Sequence, residues 1–367
     1  MLDCFAVKNS FWIDPQGHTR PCGRFKGKLS HISNFESFSD VNSSPDFVEL
    51  QNKLSNDQWP DGCIRCKEDE EKNLNSKRSF YPRIGLGSED FMVDISMGNF
   101  CNLKCRMCGP HNSTQWQSDY KALGLEYKDK TYVLSENDIE KLKEHLKQVK
   151  GNILIELKGG EPLIMPQTEY LVKELLTLDN VNKIALLIVT NGTSVPSWVE
   201  EHSEKFREVK ISVSVDGLDE IYNYIRGTKS HSFDECYENI IKFYKIPSVI
   251  LRFNVVVQNL NVHQMVDIHT LLQEFSSKIT YITLSGPAWY QISVLPKPIK
   301  EEIYNKFLQN KEKFGRYQEQ MENVHKLLIS DCNDEHWQKF VNITNALDKL
   351  RGQNILEALP SLSPYWK

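Results

Sequence analysis

Six short apolar runs punctuate the middle of the chain: FMVDISM (91–97), NILIEL (152–157), KIALLIV (183–189), VKISVSV (209–215), VILRFNVVV (249–257) and ITYITLS (279–285). Their length and β-branched content predict buried strands. Between them, apolar residues recur at three- and four-residue spacing in 168–178, 196–206, 232–244 and 261–275, which predicts helices. A further helix is predicted over 135–149, where Ser135 precedes an acid three residues on, Asp138, a capping arrangement. Strands that alternate with helices form a parallel sheet with right-handed crossovers. Six such units fall short of the eight of a full barrel. The predicted fold is α/β, a partial, open (β/α)6 barrel.

The ends of the chain follow other patterns. Residues 1–87 are rich in Ser, Asn, Asp and Pro, carry four cysteines and predict an irregular segment that needs an internal staple to stay ordered. From about 298 onward the pattern is helical again, in 300–314, 317–329 and 336–350. The expected division is therefore 1–87, 88–297 and 298–367, with the last part closing the barrel or carrying substrate contacts.

Composition changes this picture little. A net charge of −5 and 40% apolar residues suit an ordinary globular chain and give no reason to expect bulk nucleic-acid or membrane binding. No apolar run approaches the ~20 residues of a membrane span, and the N-terminal MLDCFAVKNSFWIDPQG lacks the apolar stretch of a signal peptide. The expected compartment is the cytoplasm, where disulfides are rare. The nine cysteines, seven of them in two groups, therefore point to metal or cluster ligation.

The first group is a loop directly after the first of the six strands: Cys101, three residues, Cys105, two residues, Cys108. In a parallel α/β barrel this is the rim where active sites sit. Three thiolates satisfy three irons of a [4Fe-4S] cube and leave the fourth iron open for a non-protein ligand. A zinc site normally takes four protein ligands, and His111 is the nearest candidate for a fourth. The turn Gly159-Gly160-Glu161-Pro162 ends the second strand, Thr190-Asn191-Gly192 the third, and Ser214-Val215-Asp216-Gly217 the fourth, with Arg226 following in IYNYIRG. Glycines admit close backbone approach, Glu161 offers an acceptor for an ammonium group, and a guanidinium suits a carboxylate.

With these motifs in place the chain resembles the radical SAM superfamily. The resemblance implies that SAM chelates the open iron through its amino and carboxylate groups, that Gly159, Gly160, Glu161 and Pro162 bind its amino group, and that Asn191, Ser214, Arg226 and Asn254 contact the rest. Met107 stands where the family usually has an aromatic residue, and keeps a large apolar side chain. Asp216 either caps the following helix or faces the substrate.

The second group is Cys4, twelve residues, Gly17, four residues, Cys22, then Trp59-Pro60-Asp61-Gly62-Cys63 and Cys66. It is similar to half of a SPASM domain, the twitch type, placed here before the barrel. The resemblance implies an auxiliary [4Fe-4S] cluster on Cys4, Cys22, Cys63 and Cys66, with a four-cysteine zinc knot as the alternative. Gly17 and the PQG turn suit a hairpin between Cys4 and Cys22. Of the remaining two, Cys236 shares a helical face with Phe233 and Ile240 and is expected in the core, while Cys332 is either an inert thiol or a hydrogen-atom donor or cluster ligand.

The implied activity is reductive cleavage of SAM to a 5′-deoxyadenosyl radical that abstracts hydrogen from a peptide or protein side chain. An external reductant such as flavodoxin or ferredoxin is the implied partner. Oxidation of a small molecule such as a sugar or nucleotide is the enzymatic alternative. An electron carrier or sensor without radical chemistry is the alternative of another class.

Overall fold

In a computed structural model, residues 2–226 and 231–366 are described; Gly227, which ends the IYNYIRG stretch, lies outside them. The strands are β1 (Ser10–Ile13), β2 (Thr19–Arg20), β3 (Phe91–Ser96), β4 (Ile153–Lys158), β5 (Ile184–Thr190), β6 (Glu208–Ser214), β7 (Val249–Val257) and β8 (Ile279–Thr283). They follow one another in the sheet as β2-β1-β3-β4-β5-β6-β7-β8, so the order is open and ends on β2 and β8. Strands β3 to β8 are the six apolar runs of the sequence. The pairs β1–β3, β3–β4, β4–β5 and β7–β8 are parallel, as strand–helix alternation requires.

The N-terminal segment departs from its irregular expectation. Besides β1 and β2, it forms helices at Pro45–Ser55, Ile64–Glu71 and Lys77–Arg83. Strand β1 lies parallel to β3, with Ser10 opposite Met92 and Ile13 opposite Ile95. It turns into β2 through the expected hairpin. There Asp14 Oδ1 accepts the Gln16 and His18 N–H groups at 2.9 and 3.0 Å, and Gly17 takes φ +79°. Helix Pro45–Ser55 starts on Ser44 and a first-turn proline and buries Phe47, Leu50 and Leu54, spaced for one face.

The chain forms two compact units. One comprises Met1–Phe100, Asp129–Val189 and Pro196–Lys210; the other comprises Cys101–Lys128, Thr190–Val195 and Ile211–Lys367. In the first, one sheet face is apolar: Phe11, Val93, Ile155 and Leu186 line up across β1, β3, β4 and β5, and all are fully buried. In the same unit the helix Glu136–Leu146 starts with the expected capping box, Ser135 and Asp138 bonding reciprocally. In the second unit, helix Phe233–Lys245 buries Cys236 beside Phe233 and Ile240, as its spacing predicts. Helices Lys297–Gln309, Gln318–Leu328 and Asp334–Arg351 occupy the C-terminal third.

Candidate active site: a three-thiol loop

The loop that carries Cys101, Cys105 and Cys108 belongs to the second unit. Cys101 and Cys105 are buried with Leu103, and Met107 and Cys108 pack against them. Hydrogen-bond donors face two of the sulfurs. The Leu103 N–H donates to Cys101 Sγ at 3.4 Å, and Asn191 Nδ2 lies 3.8 Å from the same atom. Asn191 Nδ2 also donates to Asn102 Oδ1 at 2.9 Å, which ties the Thr190-Asn191-Gly192 turn to the loop.

Arg226 is the strongest partner of the loop. It is the last residue of helix Asp219–Arg226 and is 4% exposed. Nη1 donates to Cys105 Sγ at 3.5 Å, and Nη2 bonds the Ser214 carbonyl and lies 3.2 Å from Asp216 Oδ2. The hydrogen bond shared with Cys108, joined by the Arg226 charge, holds the Cys105 thiol down at about 6 against the opposing effect of burial. The same shared bond and burial push Cys108 up, so the pair keeps one proton between them. Burial disfavours the charge on Arg226, but Asp216 and Cys105 outweigh it and keep the guanidinium ionised. Three thiols with a fixed cation and amide donors on their sulfurs suit an anionic iron–sulfur cube, whose properties depend on such hydrogen bonds.

The other residues predicted for this unit take definite places. Asp216 does not cap a helix end: it is buried, its Oδ1 accepts the Val256 N–H at 2.9 Å, and its other oxygen faces Arg226. Ser214 offers its carbonyl to Arg226, and the Asn254 carbonyl accepts the Val215 N–H at 3.0 Å. Cys332 donates to the Val294 carbonyl at 3.3 Å. His111 is exposed and stacks edge-on against Tyr127.

The Gly159–Pro162 turn belongs to the first unit. Gly159 and Gly160 hold φ of +82° and +59°, and a Cβ on Gly160 would meet the Phe100 carbonyl oxygen at 2.4 Å. The Glu161 N–H donates to that same carbonyl at 2.8 Å. The glycines are therefore needed to seat the turn on the residue that precedes Cys101 in the chain. Glu161 is 1% exposed, and its carboxylate is oriented by the Leu163 N–H at 3.0 Å in the short turn that Pro162 begins.

A polar row on this unit's sheet lies beyond the residues singled out from the sequence. Trp12 lies opposite Arg20 on β2 and Asp94 on β3, and Asp94 lies opposite Glu156 on β4. Lys158, two residues on from Glu156, is 2.5 Å from Asp94 Oδ2 and sits over the Trp12 ring. Burial raises Asp94 to about 7 against the pull of Lys158. A parallel sheet packed on both faces is ordinarily apolar throughout, so this row marks a face built for something other than packing. The signal was present as charged letters inside two apolar runs, Asp94 in FMVDISM and Glu156 in NILIEL.

The four N-terminal thiols also lie in the first unit. Cys4 and Cys22 pack among Val7, Phe25, Leu50 and Leu54 on one side and Ala6, Tyr81 and Met92 on the other; Cys63 joins the first set beside Trp59. Cys66 follows Cys63 by one helical turn and is buried. Burial, with the charges of the neighbouring thiols, pushes Cys4 and Cys63 up to about 12 and raises Cys22. No three His, Cys, Asp or Glu side chains among the described residues stand together as ligands of a single metal ion.

Residues 95–272 match the family model described as the Radical SAM superfamily. Among curated proteins the chain is similar to GTP 3′,8-cyclase of Syntrophomonas wolfei, 27% identical over 191 residues that cover 51% of this chain and 53% of that protein. It is also similar to GTP 3′,8-cyclase of Aquifex aeolicus, 24% identical over 52% of this chain and 55% of that one. The chain thus spans about half the length of the curated relatives it matches. Among solved structures it is similar to native anSMEcpe with bound AdoMet and Cp18Cys peptide, with TM-score 0.45, 22% identity, and coverage of 64% of this chain and 62% of that one. It is likewise similar to Streptococcus suis SuiB bound to S-adenosylmethionine, with TM-score 0.40, 15% identity, and coverage of 74% and 58%.

Proposed function

Residues 95–272 match the model of the Radical SAM superfamily, and from that premise we propose that the chain is a radical SAM enzyme that cleaves SAM reductively at the Cys101–Cys105–Cys108 loop. The observation that carries this reading is the Arg226 guanidinium on Cys105 Sγ in a buried loop of three thiols. When bound, the cluster and SAM supply an electron-driven cleavage to methionine and a 5′-deoxyadenosyl radical that removes a substrate hydrogen. The chain's own residues bind and orient. Cys101, Cys105 and Cys108 supply the thiolates, and Met107 packs beside them. Glu161, held by Leu163, is the acceptor for the SAM ammonium, with Gly159, Gly160 and Pro162 shaping its turn. Asn191, Ser214, Arg226 and Asn254 are the remaining candidates for SAM contacts, and Asp216 keeps Arg226 aimed. Burial of Cys101, Cys105, Glu161, Asn191, Asp216 and Arg226 keeps water away from the groups that would surround a reactive radical.

Cys4, Cys22, Cys63 and Cys66 are proposed to hold an auxiliary [4Fe-4S] cluster that exchanges an electron with the substrate radical. The apolar surroundings of Cys4, Cys22 and Cys63 support this, because ionisation there needs a metal counter-charge. A peptide or protein side chain is the substrate that the twitch-like arrangement favours. The second reading is a small polar molecule of the nucleotide kind. It is favoured by the relatives named GTP 3′,8-cyclase and by the charged row of Asp94, Glu156 and Lys158. Flavodoxin or ferredoxin serves as reductant in either case.

The test is anaerobic reconstitution, reduction with dithionite and measurement of 5′-deoxyadenosine. Release that requires all three loop cysteines is expected. Full cluster occupancy with no SAM cleavage overturns the enzyme reading. Adding GTP and, separately, a cysteine-containing peptide tests the two substrate classes by which one stimulates release.

A further inference from the structure

Arg106 sits in the thiol loop between Cys105 and Met107 and is 1% exposed. An arginine is almost never that buried unless it is paired. Its backbone N–H donates to the Ile225 carbonyl at 2.7 Å, and its Nε donates to the Tyr224 carbonyl at 3.1 Å. Those carbonyls lie in the last described turn of helix Asp219–Arg226, and carbonyls near a helix C-terminus need partners from outside the helix. A cation is also favoured at that end of a helix. Arg106 therefore holds the two residues that immediately precede the Arg226 that reaches Cys105.

The far end of the side chain is held by the C-terminal part of the chain. Nη2 bonds Asp348 and also Gln353 Oε1, the latter at 2.9 Å. The guanidinium lies 3.7 Å from the centroid of the Tyr224 ring, and the Tyr224 hydroxyl donates to the same Asp348 oxygen at 2.9 Å. The second Asp348 oxygen accepts the Ile355 N–H at 2.7 Å. The two residues before Arg106 are anchored similarly. Lys104 Nζ lies 2.9 Å from Asp119 Oδ1, Arg351 Nε donates to Asp119 Oδ2 at 2.8 Å, and Trp116 Nε1 donates to the Cys105 carbonyl at 3.0 Å.

We propose that Arg106 and Asp348 form a positioning pair. Through them helix Asp334–Arg351 fixes the loop between Cys105 and Cys108, and fixes the end of helix Asp219–Arg226, so that Arg226 stays on Cys105 Sγ. The inference rests on the reading that the loop holds the SAM-cleaving cluster. It gives the C-terminal helices a task distinct from substrate contact, and it predicts that a side chain touching neither SAM nor sulfur controls the cluster's electronic state.

The test uses the reconstituted holoenzyme with Arg106→Gln, Arg106→Lys, Asp348→Asn and the Arg106→Gln/Asp348→Asn double variant. Loss of a group that orients a metal's own ligands costs about 10- to 100-fold in activity or metal affinity. Each single variant is expected to lower 5′-deoxyadenosine release within that range, mainly in kcat. Each should also shift the reduction potential and electron paramagnetic resonance spectrum of the loop cluster. Arg106→Lys, which keeps the charge but not the fork, should recover part of the loss, and the double variant should be no worse than the worse single one. A wild-type potential and spectrum in Arg106→Gln, or strictly additive losses, overturns the positioning role. Should Arg106→Gln fail to fold, Tyr224→Phe removes only the bond to Asp348 and must still shift the spectrum. Absence of any cluster signal in the unmodified protein would instead overturn the radical SAM reading itself.

Discussion

The two thiol groups of this chain sit in opposite electrostatic settings. In the central loop, a hydrogen bond from Cys108 and the Arg226 guanidinium hold Cys105 down at about 6. In the N-terminal segment, burial among Val7, Phe25, Leu50 and Tyr81 pushes Cys4 and Cys63 up to about 12. A nearby cation, Arg78, is already engaged there, with Nε donating to Glu70 at 3.0 Å and Nη1 to the Asp3 carbonyl at 2.9 Å. The central loop prepares a thiolate in advance and keeps polar groups around it, as a site with an exchanging ligand needs. At the N-terminal group burial opposes ionisation of Cys4 and Cys63, and a thiolate there would need a further counter-charge. Burial alone therefore says little about a cysteine's role; the partners of the sulfur say more.

The largest effect that tests this contrast comes from the central loop. Cys105→Ala should reduce 5′-deoxyadenosine release to background and lower iron from about eight to about four per chain, read by chromatography and iron analysis. The paired change Cys63→Ser and Cys66→Ser should remove a similar amount of iron. It should leave the loop cluster's spectrum in place and expose the N-terminal segment to limited proteolysis. If both spectra vanish together, the two groups are not independent and the contrast fails.

A smaller effect is expected from Asp216→Asn, which strips the counter-charge from the buried Arg226. Breaking a buried pair costs roughly 3–5 kcal/mol, measurable by urea unfolding. Gly62→Ala is its N-terminal counterpart. A Cβ there would meet the Phe25 ring at 2.2 Å and the Lys26 carbonyl oxygen at 2.6 Å. Overpacking of that kind costs about 1–3 kcal/mol, and the shift of Cys63 should appear as lost iron at the N-terminal group only.

The smallest signal is the pH dependence of the metal-free chain. Cys105 is depressed on folding, so its contribution to stability is present above the ordinary thiol range and is lost as pH falls through about 6. Cys4 and Cys63 are raised, so theirs is present below that range and is lost as pH climbs toward about 12. Thiolate absorbance should therefore show one step near pH 6 that Cys105→Ser abolishes. A step near pH 6 that survives that change removes the basis of the comparison.

Much of this was legible in the sequence, and the gaps have physical causes. Strands β3 to β8 were visible because each falls on a mostly apolar run of six to nine residues with helical periodicity between. Strand β1 was not, because four residues, SFWI, are too short to show a period. Helix Pro45–Ser55 had its signal, a Ser-Pro start with Phe47, Leu50 and Leu54 on one face, hidden in a segment of irregular composition. The Cys101, Cys105 and Cys108 spacing was legible because it is local. Arg106 was not, since its partners Tyr224, Asp348 and Gln353 lie 118, 242 and 247 residues away and nothing local marks it. Asp94 and Glu156 were legible only as anomalies, and a charged residue in a strand needs its cross-strand neighbours before it means anything.

The pairing of β1 with β3 has a consequence for how this chain tolerates shortening. β3 has β4 on one side and β1 on the other, and the order stops at a two-residue β2. Without residues 10–20, β3 would present an unpaired row of amide and carbonyl groups along six buried positions. Such a margin recruits strands from other molecules. A truncation that begins just before β3 should therefore yield insoluble polymer instead of a smaller soluble enzyme, because the segment that carries the N-terminal thiols is also the selvage of the sheet.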